Sequence, residues 1–135
     1  MQGKIQLDIV TPERKLVSEL VDEVTAPGSN GYFGVLPGHT HFLATLKLGE
    51  ICYRQENQQK HLAVFWGYAE VMQDRVTILA QIAEKADEID LERAQAAKLR
   101  AEQRLASHGE NIDFDRAQIA LQKALIRLQV AAKQQ

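Results

Sequence analysis

The sequence predicts an α+β chain in two parts. An N-terminal antiparallel β-sandwich or flattened barrel of short strands is followed by a C-terminal antiparallel α-helical hairpin. Three observations carry this expectation. The 135 residues are 45% apolar and 25% charged, so the whole chain can fold. Up to about Ile82, short apolar segments are punctuated by Gly and Pro. From Asp87 onward there is no Pro and a single Gly, Gly109, among dense Ala, Leu, Gln, Lys and Arg. The break sets the expected domains, residues 1–84 for the sandwich and 88–135 for the hairpin. Two slim helices can rest on their own β module or leave it, which suggests a movable device rather than a rigid enzyme.

The strands are read in order from period-two alternation and turn chemistry. Ile5, Leu7 and Ile9 alternate with Gln6 and Asp8, and Pro12 ends the run. Val21, Val24 and Ala26 lead into the turn cluster Pro27-Gly28-Ser29-Asn30-Gly31. Tyr32 to Leu36 is short and apolar, closed by Pro37-Gly38. Leu46 to Tyr53 alternates again. After the polar turn Asn57 to Lys60, His61 to Trp66 reads as a buried strand. Gln73-Asp74 joins Tyr68–Met72 to Val76–Leu79 in a tight hairpin. Many short strands with regular turns are the pattern of a sandwich or barrel.

In the second half, Asp90 stands before Leu91 as an N-cap. The first helix is expected from Leu91 to about Ser107, roughly 25 Å long, with Leu91, Ala94, Ala97, Ala101 and Leu105 on one face. Gly109 suits a left-handed C-cap at the tip. Ala117, Leu121, Ala124, Leu128 and Ala131 form a 4-3-4-3 seam on the second helix. Alternating Ala and Leu lets antiparallel helices approach closely. Such a pair buries little surface, so docking or a ligand can decide its state.

Composition also excludes. A net charge of −2 argues against a nucleic-acid footprint. Cys52 is the only cysteine, which rules out an internal disulfide or a CxxC motif and fits a reducing compartment. No signal peptide is expected, because strand-like sequence follows Met1 at once. No apolar run approaches the ~20 residues of a membrane span. No GxSxG, P-loop, HExxH or dinucleotide fingerprint is present. His39 and His41 have H-x-H spacing, but no nearby Cys or carboxylate completes a metal site, so they read as structural or interface residues. Tyr32 is expected to be exposed at its turn and Phe33 to be core.

Glu84, Asp90 and Arg93 cluster at the entry to the first helix, while Lys123 and Arg127 share a face of the second. In a closed hairpin these cations can meet a polyphosphate, and the acids can accept from a ribose or an adenine amine. The plainer reading is an N-cap with solvated charges.

Three stretches resemble the epsilon subunit of F-type ATP synthases. Gly31-Tyr32-Phe33-Gly34-Val35-Leu36-Pro37-Gly38-His39 is similar to the family's G-x-x-G-V-L-P-G-H segment. Trp66-Gly67-Tyr68-Ala69-Glu70-Val71 is similar to its G-G-F-x-E-V strand. Ile89-Asp90-Leu91-Glu92-Arg93-Ala94 resembles the I/L-D-x-x-R-A motif that binds ATP in some bacterial members. Ala120-Leu121, Ala124 and Arg127-Leu128 follow the family's A-L-x-x-A-x-x-R-L ending.

The resemblance implies a sandwich of about ten strands that binds the gamma subunit and the c-ring, completing a rotor stalk. It implies a hairpin that can extend toward the alpha/beta head and block ATP hydrolysis. It implies no catalytic residue, metal or obligatory cofactor, with ATP as a regulatory ligand at Glu84, Ile89, Asp90, Arg93, Ala94, Lys123 and Arg127. Tyr32, Phe33, His39 and His41 would face the rotor and c-ring. The chain would lie at the cytoplasmic face of the bacterial cell membrane, reaching it only through the complex. The alternative is a free-standing interaction module whose hairpin is a coiled-coil partner. Five departures stand out: Tyr32 where many relatives carry a polar or acidic residue, His41 where Pro is frequent, Trp66 for the first Gly of G-G-F, Tyr68 for its Phe, and Lys123 for Arg.

Overall fold

The computed structural model describes residues 3–107 and 113–133. Eight strands come first among these: β1 (Ile5–Val10), β2 (Lys15–Val21), β3 (Glu23–Gly28), β4 (Gly31–Val35), β5 (Phe42–Leu46), β6 (Gly49–Gln55), β7 (Gln58–Val71) and β8 (Arg75–Lys85). One 3-10 turn, Ala86–Glu88, links them to α1 (Leu91–Ala106) and α2 (Phe114–Ala131). The Gly109 cap lies outside the described residues.

The strands form one continuous ladder in the order β2-β1-β8-β7-β5-β3-β4, with β6 paired to both β3 and β7. The ladder wraps a single core, in which Ile5, Leu7 and Ile9 meet Val24, Ile51, Val64 and Ile78. Pairing is antiparallel except between β1 and β8, which run parallel. That exception corrects the expectation of a wholly antiparallel sandwich.

The described residues form eight strands rather than about ten, and one local merger explains part of the difference. Gly67 reads in sequence as a break between two strands, yet β7 runs through it. The backbone turns there, with Trp66 at φ +60° and Gly67 at φ +154°. Hydrogen bonding to β8 continues in unchanged register, Phe65 opposite Ile82 and Gly67 opposite Ala80. A Cβ on Gly67 would lie 2.3 Å from the Leu79 carbonyl oxygen. Only glycine fits this bend. The inward alternation slips by one residue, from Leu62 and Val64 to Ala69 and Val71. The long strand thereby bends around the core without exposing its apolar face.

Asp90 caps α1 as expected, its carboxylate accepting from the Arg93 N–H at 3.2 Å. Asp113 caps α2 in the same way, accepting from Arg116 N–H at 3.1 Å. The helices pack on each other and α2 packs on β6 and β7. Ala94 and Ala101 on α1 are buried with Ala117 and Ala124 on α2, each pair seven residues apart. Small side chains at that spacing make a tight antiparallel seam. Leu91, expected on the seam, is half exposed at the helix start.

Candidate functional site

The candidate residues meet where α2 crosses the outside of the sheet. Register places Glu50 of β6 opposite Ala63 of β7, and Ala63 opposite Glu84 of β8. Cross-strand partners share a face, so two carboxylates flank a small residue in one row. Arg127 and Val130 on α2, and Lys133 in the turn that ends it, recur every three residues along one side. Val130 is fully buried against Leu48, Ala63 and Phe65, with Trp66, Ile89 and Ile126 at the edge.

Arg127 grips Glu84 through two parallel bonds, Nε to Oε1 at 2.8 Å and Nη2 to Oε2 at 2.9 Å. Its guanidinium carbon sits 4.7 Å from the centre of the Phe65 ring. The Lys123 ammonium lies 5.0 Å from the centre of the Trp66 ring and 5.7 Å from that of Phe65. Two cations therefore share an aromatic floor, an arrangement that holds positive charge by cation–π attraction. Among the described residues Lys123 forms no ion pair.

The remaining nucleotide candidates divide. Ile89 packs beside this cluster. Asp90 is committed to capping α1, and Ala94 is buried in the helix seam. Arg93 is exposed on the first turn of α1. The structure thus gathers Glu84, Ile89, Lys123 and Arg127, and leaves Asp90 and Arg93 at the neighbouring helix start. An open groove of about 1190 Å³ lies elsewhere, lined by Glu19, Tyr53, Lys60, His61, Lys85 and Lys133 among others. None of the nucleotide candidates lines it.

The linker into the helices is clamped. Arg14, in the β1–β2 turn, donates to both oxygens of Glu88 at 2.7 and 2.8 Å. Glu88 also accepts from the Lys85 N–H at 3.1 Å. The Arg14 hydrogen bonds, followed by the Lys85 amide, hold the Glu88 carboxyl down at about 2.

At the expected rotor-facing turn, Tyr32 is exposed as anticipated, yet its hydroxyl accepts from the Glu50 backbone N–H at 2.9 Å. Gly49 permits this approach, since a Cβ there would lie 2.7 Å from the hydroxyl. Phe33 is half buried and packs edge-on against Phe42 at 5.3 Å. The His39 ring meets Phe42 at the same distance and pairs through Nδ1 with the Thr40 carbonyl at 2.9 Å. His41 is exposed. No cluster of potential metal ligands occurs among the described residues.

Two features escaped the sequence reading. One is the set of partners around Glu50, His61, Gln129 and Lys133. The equal spacing of Arg127 and Lys133 about apolar Val130 is the signal that could have found it. The other is an apolar row outside the sandwich. Val10, Leu79, Tyr68 and Thr45 are successive register partners across β1, β8, β7 and β5. Leu79 is 53% exposed, Tyr68 55%, and Leu43, on the same face of β5, 71%.

Comparison with known proteins agrees with this architecture. Residues 4–86 match the family model described as ATP synthase, Delta/Epsilon chain, beta-sandwich domain. Residues 87–132 match its partner, the Delta/Epsilon chain long alpha-helix domain. The chain belongs to this ATP synthase family, as an epsilon-type member. It is 56% identical over 133 residues to the ATP synthase epsilon chain of Syntrophobacter fumaroxidans, covering 98% of this chain and 99% of the relative. It is 54% identical over 134 residues to that of Geobacter sp. strain M21, covering 98% and 97%. Among solved structures it is similar to a chain in the Euglena gracilis mitochondrial ATP synthase, OSCP/F1/c-ring, with a TM-score of 0.82 at 25% identity. That match covers 98% of this chain and 83% of the other. A chain of the Tetrahymena thermophila central stalk and c-ring shares the fold, with a TM-score of 0.56 at 16% identity, covering 96% and 95%.

Proposed function

We propose that this chain is a non-catalytic rotor subunit. Its β half binds the gamma subunit and the c-ring, and its hairpin restrains ATP hydrolysis in the alpha/beta head. The observation that carries this reading is the exposed apolar row Leu79-Tyr68 with Leu43. Side chains of this size, contiguous on a sheet face, mark a surface that another protein covers. They stand on strands rather than on the helices, which favours a rotor contact over the alternative of a free module working through its hairpin. Among the described residues no helix is long and apolar enough to cross a membrane. Attachment to the cytoplasmic face of the bacterial membrane then comes through the complex. Copurification with a gamma subunit should survive deletion of residues 88–135. Loss of the complex on that deletion, or its survival when Tyr68→Asp and Leu79→Asp are combined, overturns the division of labour.

The hairpin site supports ATP as a regulatory ligand. Lys123 and Arg127 offer adjacent positive charge over Phe65 and Trp66, and Arg93 stands on the first turn of α1. Glu84 already holds Arg127 in both prongs of its fork, so phosphate must share or displace that carboxylate. Lys123 supplies a point charge where Arg would supply a fork. ATP should raise the melting temperature of the isolated chain, and Arg93→Ala and Arg127→Ala should each reduce the shift. A ligand at 100 times its Kd adds about 2.7 kcal/mol. Equal shifts in all three proteins remove these residues from the site.

A further inference from the structure

We propose that Glu50 is a latch. A buried carboxylate on the outside of β6 holds the last turn of α2 against the sandwich without nucleotide, and so governs how readily the hairpin leaves. This rests on the reading that the hairpin is the movable part, and it adds a second, separate hold on it.

Glu50 stands on the face of the sheet that α2 covers, and only 8% of it is exposed. A charge at that depth is stable only when paired and hydrogen-bonded. Every partner is present. The Lys133 ammonium lies 2.9 Å from both oxygens. The Gln129 side-chain amide donates to Oε1 at 3.3 Å. His61 Nδ1 meets Oε2 at 2.8 Å from the neighbouring strand β7. Gln129 rides on the helix and Lys133 on the turn that ends it. When the helix departs, only His61 remains among them, and Glu50 must recover its solvation from water.

The arrangement is lopsided in a useful way. Lys133 is 41% exposed and is largely solvated where it stands, whereas the Glu50 side chain is 10% exposed and depends on these partners for as long as the helix covers it. The latch is separate from the Glu84–Arg127 pair, since Ala63 and Val130 lie between the two. Occupation of the Lys123–Arg127 region by phosphate leaves Glu50 and Lys133 untouched. The same residue also reaches the turn expected to face the rotor, because its backbone N–H donates to the Tyr32 hydroxyl.

Hydrogen–deuterium exchange of the full chain without nucleotide tests this. Lys133→Met removes the tie at a partly exposed position and leaves the sandwich intact. It should speed exchange of amides 126–133 about tenfold, the scale of one lost charge-assisted hydrogen bond, while β1 and β8 keep their protection. Glu50→Gln should act on the same amides, and the double variant should add little to either single one. Unchanged exchange at 126–133 in Lys133→Met, with the hairpin still opening independently of the sandwich, overturns the latch alone. A hairpin that exchanges only with global unfolding in every variant overturns the latch and the mobile-hairpin reading together.

Discussion

At the scale of single residues, charge is placed where the chain changes direction. Glu88 ends the 3-10 turn between sandwich and helices, and Arg14 pins it there from 74 residues away. The pairing holds its carboxyl at about 2 instead of 4.5. A carboxylate depressed in the folded state contributes stability above its unfolded pKa and loses it as pH falls through the folded one. Arg14→Ala should therefore destabilise the chain at neutral pH. The gap to wild type should close between about pH 4.5 and 2, followed by urea unfolding at each pH. A gap that is constant with pH would mean the ion pair contributes nothing. Backbone geometry acts at the same scale. Trp66 adopts φ +60°, where its counterpart in the G-G-F motif is glycine. A non-glycine residue there carries strain of about 1–3 kcal/mol, offset by packing of the indole against the Leu48, Ala63, Phe65 and Val130 cluster and by Lys123 over its ring. Its neighbour has no such freedom. Gly67→Ala should lower stability by at least ~1–3 kcal/mol, read from the denaturation midpoint, because its Cβ would meet the β8 backbone at Leu79 and Ala80.

At the scale of elements, the helices were legible in advance and the long strands were not. Asp90 and the Ala-Leu spacing predicted α1 to within a residue or so, since capping and seam packing are local rules. The sequence presents β7 as two strands, because Gly67 is a break by composition and a bend only in the context of β8. The nucleotide candidates were half legible. Lys123 and Arg127 share a face as spacing required, and Arg127 meets Glu84. Glu50 was invisible as a site residue, since a lone acid in an alternating strand reads as solvent-facing. Its significance depends on a helix 79 residues further on. The seam itself makes a prediction. Ala124 is 1% exposed against α1. Ala124→Leu should wedge the helices apart at a cost of about 1–3 kcal/mol. Amide exchange should rise across 91–106 and 114–131, with the sandwich unaffected. Protection unchanged in both helices would mean that the seam is loosely packed.

At the scale of the whole molecule, one chain carries two distinct outer surfaces. The β half shows an apolar row on strands β5, β7 and β8. The opposite stretch of the same outer surface, around Ala63 and Phe65, is covered by α2 and held at its edges by Glu84 and Glu50. Departure of the hairpin leaves the sandwich core complete, because the main cluster draws on strands alone. A subunit built this way can keep its strand surface unchanged while its helices change position. In the proposed division of labour, assembly belongs to the β half and restraint of hydrolysis to the hairpin. The direct measurement is ATP hydrolysis by a reconstituted catalytic head and rotor carrying either residues 1–87 or the full chain. Both should incorporate equally, and hydrolysis should be faster with the shorter one. Equal hydrolysis rates, or failure of residues 1–87 to assemble, would contradict it.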